Sequence, residues 1–216
     1  MNQHQEDYLK TIYSLGGDKE IVSNKAIAYE LGISPASVTE MLGKLAKSGL
    51  AEVFPYKGAK LTAKGVKASQ DVALSHRLWE VFLTKFLGYT LSEAHEDAHC
   101  LEHVAPERLL RRLDKFLKYP EHCPHGEEIP RGGNYRPRAG NYARLSELMA
   151  GERAKVRKIA EKRDLLDYIE RLGLKIGVEI EVEKIGEYEG SVSLRQGGRT
   201  IVLSHKAAKQ ITVERL

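Results

Sequence analysis

A nine-residue stretch at positions 95–103, HEDAHCLEH, carries the side chains with the clearest chemistry in the chain. Read as a helix, it places His95, His99, Glu102 and His103 on one continuous face. Imidazole nitrogens and carboxylate oxygens are the usual protein ligands of divalent transition metals. The spacing therefore favours a metal site, with ordinary structural histidines as the alternative.

Two further groups of candidate ligands lie elsewhere in the sequence. His76 and Glu80 have i, i+4 spacing on an earlier predicted helix. Cys123 and His125 stand two residues apart in an irregular Cys-Pro-His-Gly segment, where both can point at one ion. The only other cysteine is Cys100, so a disulfide framework is excluded and the cysteines are core residues or metal ligands. These groups predict a metal site shared between packed helices.

Length and composition indicate a globular protein of two or three small domains in 216 residues. No run of about 18 apolar residues occurs, and the N-terminus lacks a signal-peptide layout, so a cytoplasmic location is expected. The net charge of +4 is mild. Its basic part is local, because a single acid, Glu52, lies among six lysines, namely Lys44, Lys47, Lys57, Lys60, Lys64 and Lys67.

Residues 24–50 have the pattern of a helix-turn-helix. A short helix ends at Leu31, Gly32 makes the turn, and Ser34 as N-cap with Pro35 at the first helical position opens a second helix. Small polar side chains at its start can approach base edges in a DNA major groove. On this stretch alone, a plain αα-hairpin is the alternative. The candidate DNA-contacting residues of the helix are Ser34, Pro35, Ala36, Ser37, Thr39, Glu40 and Lys44.

The segment after this helix favours a winged helix over the hairpin. Two short strands, at 50–54 and 61–62, flank a Gly-containing turn at 56–60, with Lys57 and Lys60 predicted at the tip of the wing. Lysines at such a tip contact phosphates and add affinity without sequence information. DNA binding is therefore expected.

Four more helices are predicted, at about 5–15, at 62–87, from Leu91 or Ser92 onward, and at 106–117. The last of these has a wide apolar stripe, which we interpret as a dimer interface, with core packing as the alternative. The composition of 126–144 is typical of a linker.

The C-terminal part reads as a short helix followed by a small, partly open β-barrel. Asp164 is the predicted N-cap of the helix, which ends at Gly173. Strands are predicted at 178–183, 192–194, 200–203 and 211–213, and the second and third are predicted to form a hairpin linked through Gly197-Gly198.

This order of parts resembles the diphtheria-toxin-repressor family of metal-dependent regulators, over nearly the whole chain. Within the family the chain looks most like the three-domain manganese- and iron-sensing branch, whose C-terminal domain is SH3-like. The stretches that carry the resemblance are Glu6-Asp7-Tyr8-Leu9, Ser37-Val38-Thr39, Leu61-Thr62-Ala63-Lys64-Gly65, His76-Arg77-Leu78-Trp79-Glu80, His95 through His103, and Cys123-Pro124-His125-Gly126.

The resemblance implies a multidomain, mainly α fold with an N-terminal winged helix-turn-helix and a C-terminal SH3-like small β-barrel. The implied domains are a winged-helix DNA-binding domain at 1–65, a helical metal-binding and dimerisation domain at 66–125, a linker at 126–147 and an SH3-like, FeoA-like domain at 148–216.

Two metal sites follow from the resemblance, position by position. The first would draw on Asp7, His76, His99, Glu102 and His103. The second would draw on Glu80, Cys123, His125 and an acid of the C-terminal part, Glu161 or its substitute Asp164, and other members also use the position of His95.

Two positions depart from the family pattern. Lys10 stands where other branches have a Met or Glu ligand, so no contribution is expected from it. His99 stands where Glu or Cys is expected, and either His99 or the adjacent Cys100 is the ligand. A nitrogen-rich site should be less selective for manganese.

The implied function is a cytoplasmic, homodimeric transcriptional repressor that is not an enzyme. It would bind palindromic operator DNA when loaded with manganese(II) or iron(II), with two ions per subunit, and control metal-uptake genes. A metalloenzyme with a His/Glu helical site and a metal-independent winged-helix regulator of an organic ligand are the alternatives.

Overall fold

The computed structural model describes residues 1–131, 140–188 and 190–216. Their contacts divide the chain into two compact units. The first unit contains Met1–His76 and Cys100–Pro106, and the second contains Arg77–His99, Glu107–Ile129 and the C-terminal part of the chain. Among the described residues, no helix is both long and apolar enough to cross a membrane.

The first unit is a winged helix, as predicted. Ser23 and Ser34 cap two of its helices through their hydroxyls, and Gly32 adopts the left-handed conformation that ends the earlier one. Its elements are α1 (Gln3–Ser14), α2 (Asn24–Leu31), α3 (Pro35–Lys47), β1 (Ala51–Phe54), β2 (Gly58–Leu61) and the first part of α4 (Ala63–Leu87).

The core of this unit joins α1 to the recognition helix α3. One face of α1 buries Tyr8, Leu9 and Ile12. These side chains belong to the same apolar cluster as three buried residues of α3, which are Val38, Leu42 and Leu45. Burial of large aliphatic side chains contributes about 1.5–3 kcal/mol each, so α1 and α3 are held together firmly.

The wing is an antiparallel pair of β1 and β2, and Val22 forms an antiparallel bridge to β2 at Ala59. Val22 exchanges backbone hydrogen bonds of 2.9 and 3.0 Å with Ala59. Gly58 makes this approach possible, because a Cβ there would lie 1.9 Å from the Val22 carbonyl oxygen. Lys57 lies on the turn, but Lys60 pairs with Glu52 within the ladder. The prediction that both lysines sit at the tip is therefore wrong for Lys60.

The second unit contains the rest of α4 from Arg77, most of α5 (Leu91–Leu101) and α6 (Glu107–Phe116). The spacing predicted that Glu102 and His103 lie on the same helix as His95. Because α5 ends at Leu101, they lie instead in the turn that follows it. Phe86 of α4 and Phe116 of α6 pack with ring centroids 5.0 Å apart, and both remain about half exposed.

The C-terminal part is a six-stranded antiparallel sheet in the order β3-β8-β4-β5-β6-β7. Its apolar core includes Val156, Leu166, Val182, Leu194 and Val213. The elements are β3 (Tyr142–Arg144), a 3-10 turn (Leu145–Glu147), β4 (Arg153–Ile159), α7 (Arg163–Leu172), β5 (Glu179–Ile185), β6 (Val192–Gln196), β7 (Arg199–Leu203), α8 (His205–Ala208) and β8 (Ile211–Arg215).

Three details of this part differ from the sequence predictions. Lys162, not Asp164, is the N-cap residue of α7, and it makes no side-chain cap hydrogen bond. Strand β4 was not predicted. Strand β3 lies inside the segment predicted as a linker, of which residues 132–139 fall outside the described part of the chain. The Gly197-Gly198 hairpin between β6 and β7 is confirmed.

Candidate metal centres and DNA-binding surface

The first cluster of candidate ligands consists of Asp7, His76, Glu102 and His103, all in the first unit. The Nε2 atom of His103 lies 3.1 Å from Asp7 Oδ1 and 3.2 Å from Glu102 Oε1. The other oxygen of Glu102, Oε2, lies 2.7 Å from Nδ1 of His76. The side chains of Glu102, His76 and His103 are almost fully buried. The structure thus brings four of the predicted ligands together.

Glu6 orients His103 within the first cluster. Nδ1 of His103 donates a hydrogen bond of 2.6 Å to Glu6 Oε2. Because Nδ1 is used in this bond, Nε2, which faces Asp7 and Glu102, is the nitrogen through which His103 would bind a metal ion. Metal-binding histidines commonly donate their other ring N–H to a carboxylate in this way. Glu6 was not predicted as a functional residue. Its position beside the predicted ligand Asp7, in the first turn of α1, was the signal in the sequence that could have indicated it.

Lys10 also contacts the first cluster. Its Nζ atom donates to Glu102 Oε1 at 2.5 Å, and its side chain is one-quarter exposed. Lys10 lies three residues after Asp7, on the same side of α1. No ligand contribution was predicted for Lys10, and its contact with Glu102 was not predicted either.

His99 and Cys100 differ in exposure. His99 is half-buried on α5, in the second unit, whereas Cys100 is exposed. Burial favours His99 over Cys100 as the candidate ligand of this pair.

The second cluster consists of Glu80, His95, Cys123, His125 and Glu161, all in the second unit. One ligand atom from each of Glu80, Cys123, His125 and Glu161 lies within 4.8 Å of the others. Glu80 Oε1 is 3.0 Å from His125 Nδ1 and 3.1 Å from His95 Nδ1. Of the two acids considered for the C-terminal part, Glu161 joins this cluster, while Asp164 is exposed on the first turn of α7.

A backbone carbonyl fixes the orientation of His125 in the second cluster. Nε2 of His125 donates to the Leu91 carbonyl oxygen at 3.2 Å. Nδ1 faces Glu80 Oε1 at 3.0 Å and the Cys123 sulfur at 3.8 Å. Burial acts to lower the pKa of His125, but the hydrogen bond to Glu80 and the charges of Glu80 and Glu161 raise it overall. Because Nε2 is used by the Leu91 carbonyl, Nδ1 is the nitrogen that would bind a metal ion when the ion replaces its proton.

The electrostatics of the second cluster favour a cation. Burial, together with the charges of Glu80 and Glu161, raises the pKa of the Cys123 thiol well above its usual value. Burial acts to lower the pKa of Arg77, but Glu127 and Glu161 raise it overall, so this guanidinium stays charged beside the cluster. A thiol among carboxylates ionises readily only when a metal ion replaces its proton.

Both clusters fit a divalent transition metal by their donor sets and spacing. Metal–ligand bonds of 2.0–2.3 Å place donor atoms about 3–4.5 Å apart. The distances from His103 Nε2 to Asp7 and Glu102, 3.1 and 3.2 Å, and from Glu80 Oε1 to His125 and His95, 3.0 and 3.1 Å, lie within that range. The first cluster offers carboxylate and imidazole, which suit manganese and iron, and the second adds a thiol, which suits softer ions. Within the described residues, the buried Oε1 atom of Glu161 makes no hydrogen bond. That oxygen is available to an ion.

The start of α3 presents the predicted DNA-reading side chains to solvent. Pro35, Ala36 and Ser37 are exposed. The Thr39 hydroxyl is engaged, because it donates to the Pro35 carbonyl at 3.0 Å and accepts from the Asn24 amide at 2.9 Å. Its hydrogen-bonding capacity is therefore largely used within the protein, and its methyl group remains for base contacts.

The charges on this surface are partly paired. Ser34 caps α3 and shares a 2.9 Å hydrogen bond with Ser37. Glu40 and Lys44 form an exposed i, i+4 ion pair of 2.7 Å, which lowers the pKa of Glu40. Lys57 is exposed on the wing. The acid on the recognition helix is thus neutralised locally, and the surface remains compatible with a phosphate backbone.

A winged helix linked to buried clusters of metal ligands defines a metal-responsive DNA-binding regulator. Three family models match the chain. They describe an iron-dependent repressor N-terminal DNA-binding domain at residues 1–59, an iron-dependent repressor metal-binding and dimerisation domain at 62–131, and a FeoA domain at 143–215.

Similar proteins agree with these matches over the full length. The iron-dependent repressor IdeR of Mycobacterium tuberculosis is 30% identical, across 98% of this chain and 96% of that protein. The structure of a manganese-dependent transcriptional repressor in complex with manganese is 31% identical, with a TM-score of 0.85 over 98% of this chain and 100% of the other. The apo form of the manganese-activated repressor ScaR is 38% identical, with a TM-score of 0.78 over 97% and 100%.

The chain therefore belongs to the diphtheria-toxin-repressor family of iron-dependent repressors. This membership confirms the predicted fold class and the predicted class of function, a metal-dependent transcriptional repressor. It does not fit the two alternatives, the metalloenzyme and the sensor of an organic ligand.

Proposed function

We propose that this protein is a homodimeric repressor that binds palindromic operator DNA when its clusters hold manganese(II) or iron(II). The observation that carries the proposal is the double role of α1. Its apolar face, with Leu9 and Ile12, packs in one core with α3, while Asp7 on the same helix belongs to the first cluster. Occupancy of the cluster can therefore act on the position of the recognition helix.

The candidate ligands of the first cluster come from three segments of the first unit. Asp7 lies on α1, His76 on α4, and Glu102 and His103 in the turn after α5. A bound divalent cation supplies the positive charge that lets these buried carboxylates approach one another. Asp7 then stays beside Glu102 and His103, and α1 is fixed with the core that supports α3.

In the second cluster, Glu80, Cys123, His125 and Glu161 are the proposed ligands, with His95 beside them. Glu161 lies two residues before the start of α7, whereas Glu80 lies on α4. Ligation would hold these elements of the second unit together. The manganese bound to one similar repressor and the iron dependence of another support a manganese or iron cofactor at the two clusters.

A dimer is supported by an apolar surface of the second unit. Phe86, Leu87, Leu109 and Phe116 are exposed on α4 and α6. Large exposed apolar side chains that lie together mark interaction surfaces. The match to a dimerisation domain over 62–131 covers this surface, and a two-fold symmetric dimer suits two half-sites of a palindrome. We assign the clusters to regulation and not to catalysis.

The proposal is tested by DNA binding with buffered metal and with chelator. The probe is a duplex selected from random-sequence DNA in the presence of manganese(II), and fluorescence anisotropy reports binding. Wild-type protein should bind with manganese(II) or iron(II) and release the duplex in chelator. Glu102→Gln should lose this activation and remain a dimer, because the variant lacks the carboxylate shared by His76 and His103.

Glu179→Gln is the matched control. Glu179 is an exposed acid on β5 that pairs with Arg153, so the same chemical change is made away from both clusters. Equal DNA binding by the wild-type protein in chelator and in metal would contradict the proposal.

A further inference from the structure

We propose that Lys10 is an internal competitor for the metal ion of the first cluster and sets the metal concentration at which that cluster loads. This inference rests on the proposed function, because it requires a metal ion at the first cluster. Lys10 supplies no ligand atom. Its role follows from the position of its charge.

The ammonium group of Lys10 lies on an oxygen that an ion would use. Nζ is 2.5 Å from Glu102 Oε1. The same oxygen faces His103 Nε2 at 3.2 Å, and that nitrogen in turn faces Asp7 Oδ1 at 3.1 Å. A cation that binds Glu102 through Oε1, the oxygen nearest His103, must therefore share that oxygen with Lys10 or displace Lys10.

The surroundings of the ion pair make the competition significant. The Glu102 side chain is fully buried, and that of Lys10 is only one-quarter exposed. A buried carboxylate is unfavourable without a partner of opposite charge. Lys10 provides that partner when no metal is bound, so it stabilises the metal-free state. A divalent ion must overcome both the loss of this pair and the repulsion of the ammonium group.

Three carboxylates are grouped in this region, those of Glu6, Asp7 and Glu102. Replacing Lys10 by a neutral residue removes positive charge from their surroundings without removing a ligand. Metal binding should become tighter, while the metal-free protein becomes less stable. If Lys10 had a merely structural role, its replacement would weaken metal binding and lower the stability of the metal-free protein, or it would leave metal binding unchanged. The opposite signs are therefore the signature of a competitor.

The test uses the full-length protein and manganese(II). Free manganese(II) is measured by electron paramagnetic resonance during titration of the wild type, Lys10→Leu, Lys10→Gln and Lys10→Arg. Leu has no donor atom, Gln guards against a variant that fails to fold, and Arg keeps the charge. Lys67→Leu is the matched control, because Lys67 forms an exposed ion pair of 2.5 Å with Asp71 on α4. Binding that is absent in Glu102→Gln is assigned to the first cluster.

We expect first-cluster affinity to rise about tenfold in Lys10→Leu and Lys10→Gln, equivalent to about 1.4 kcal/mol. Lys10→Arg and Lys67→Leu should bind like the wild type. In chelator, Lys10→Leu should melt about 4 °C lower, since ~1.4 kcal/mol moves Tm by about 2–4 °C per kcal/mol in a chain of this size.

Manganese(II) binding that is unchanged or weaker in both Lys10→Leu and Lys10→Gln would overturn the inference. So would binding by Lys10→Arg that is as tight as that of the neutral variants, because the charge would then not be the cause. A different result would refute the proposed function. If Glu102→Gln lost no manganese binding relative to the wild type, the first cluster would hold no metal, whatever the Lys10 variants did.

Discussion

The hydrogen bond between Glu6 and His103 leads to a prediction about metal affinity. Nδ1 of His103 donates to Glu6 at 2.6 Å, a short bond to a carboxylate whose side chain is mostly buried. Hydrogen bonds to charged groups contribute about 1.5–3 kcal/mol, and residues that orient metal-binding histidines typically affect affinity by about 10–100-fold. In Glu6→Gln the side-chain oxygen can still accept, but without the charge. We expect about tenfold weaker binding at the first cluster, equivalent to about 1.4 kcal/mol.

The assay is isothermal titration with manganese(II), repeated on Glu20→Gln as the control. Glu20 is an exposed acid of the same unit, so its variant should bind like the wild type. Glu6→Leu, which cannot accept a hydrogen bond, should lose more affinity than Glu6→Gln. If Glu6→Gln kept wild-type affinity while His103→Ala abolished binding, the orienting role of Glu6 would be refuted.

Two further predictions concern the wing. The double substitution Lys57→Ala and Lys60→Ala should weaken binding to all DNA sequences. If both lysines contact phosphates, the slope of log K against log salt concentration should become less steep by about 2 units. An unchanged slope in anisotropy titrations would exclude these contacts. Gly58→Ala should destabilise the protein by ~3 kcal/mol, because its φ is 137° and its Cβ would lie 1.9 Å from the Val22 carbonyl oxygen. In urea unfolding, Gly32→Ala is the control and should lose only ~1 kcal/mol, since φ is 67° but nothing lies within 4 Å.

Local signals allowed the winged helix to be predicted from the sequence. Ser34 caps α3, Pro35 occupies its first turn, and Gly32 adopts the left-handed conformation that ends α2. Each signal acts within four residues of the chain, so it is readable without knowledge of the fold. Helical spacing also predicted that Glu102 and His103 continue α5, but the helix ends at Leu101. The end of α5 at Leu101 was not readable, because no Gly or Pro marks it.

Contacts between distant segments could not be predicted in this way. The partners of Glu6 and Lys10 lie more than 90 residues away, at His103 and Glu102. Strand β4 was not predicted for a different reason. Its register shifts between Val156 and Lys158, and the strict alternation that marks a strand is interrupted there.

The shared core of α1 and α3 has a consequence for genetics. Leu9 and Ile12 are fully buried apolar side chains, and they join α1 to α3 through the cluster that contains Val38 and Leu42. A substitution that loosens this core, such as Ile12→Ala, would leave the metal ligands and the DNA-contacting residues unchanged. Metal binding would then no longer position the recognition helix. A screen for cells that no longer repress in ample metal should therefore recover buried apolar positions of α1 and α3 as well as the ligands.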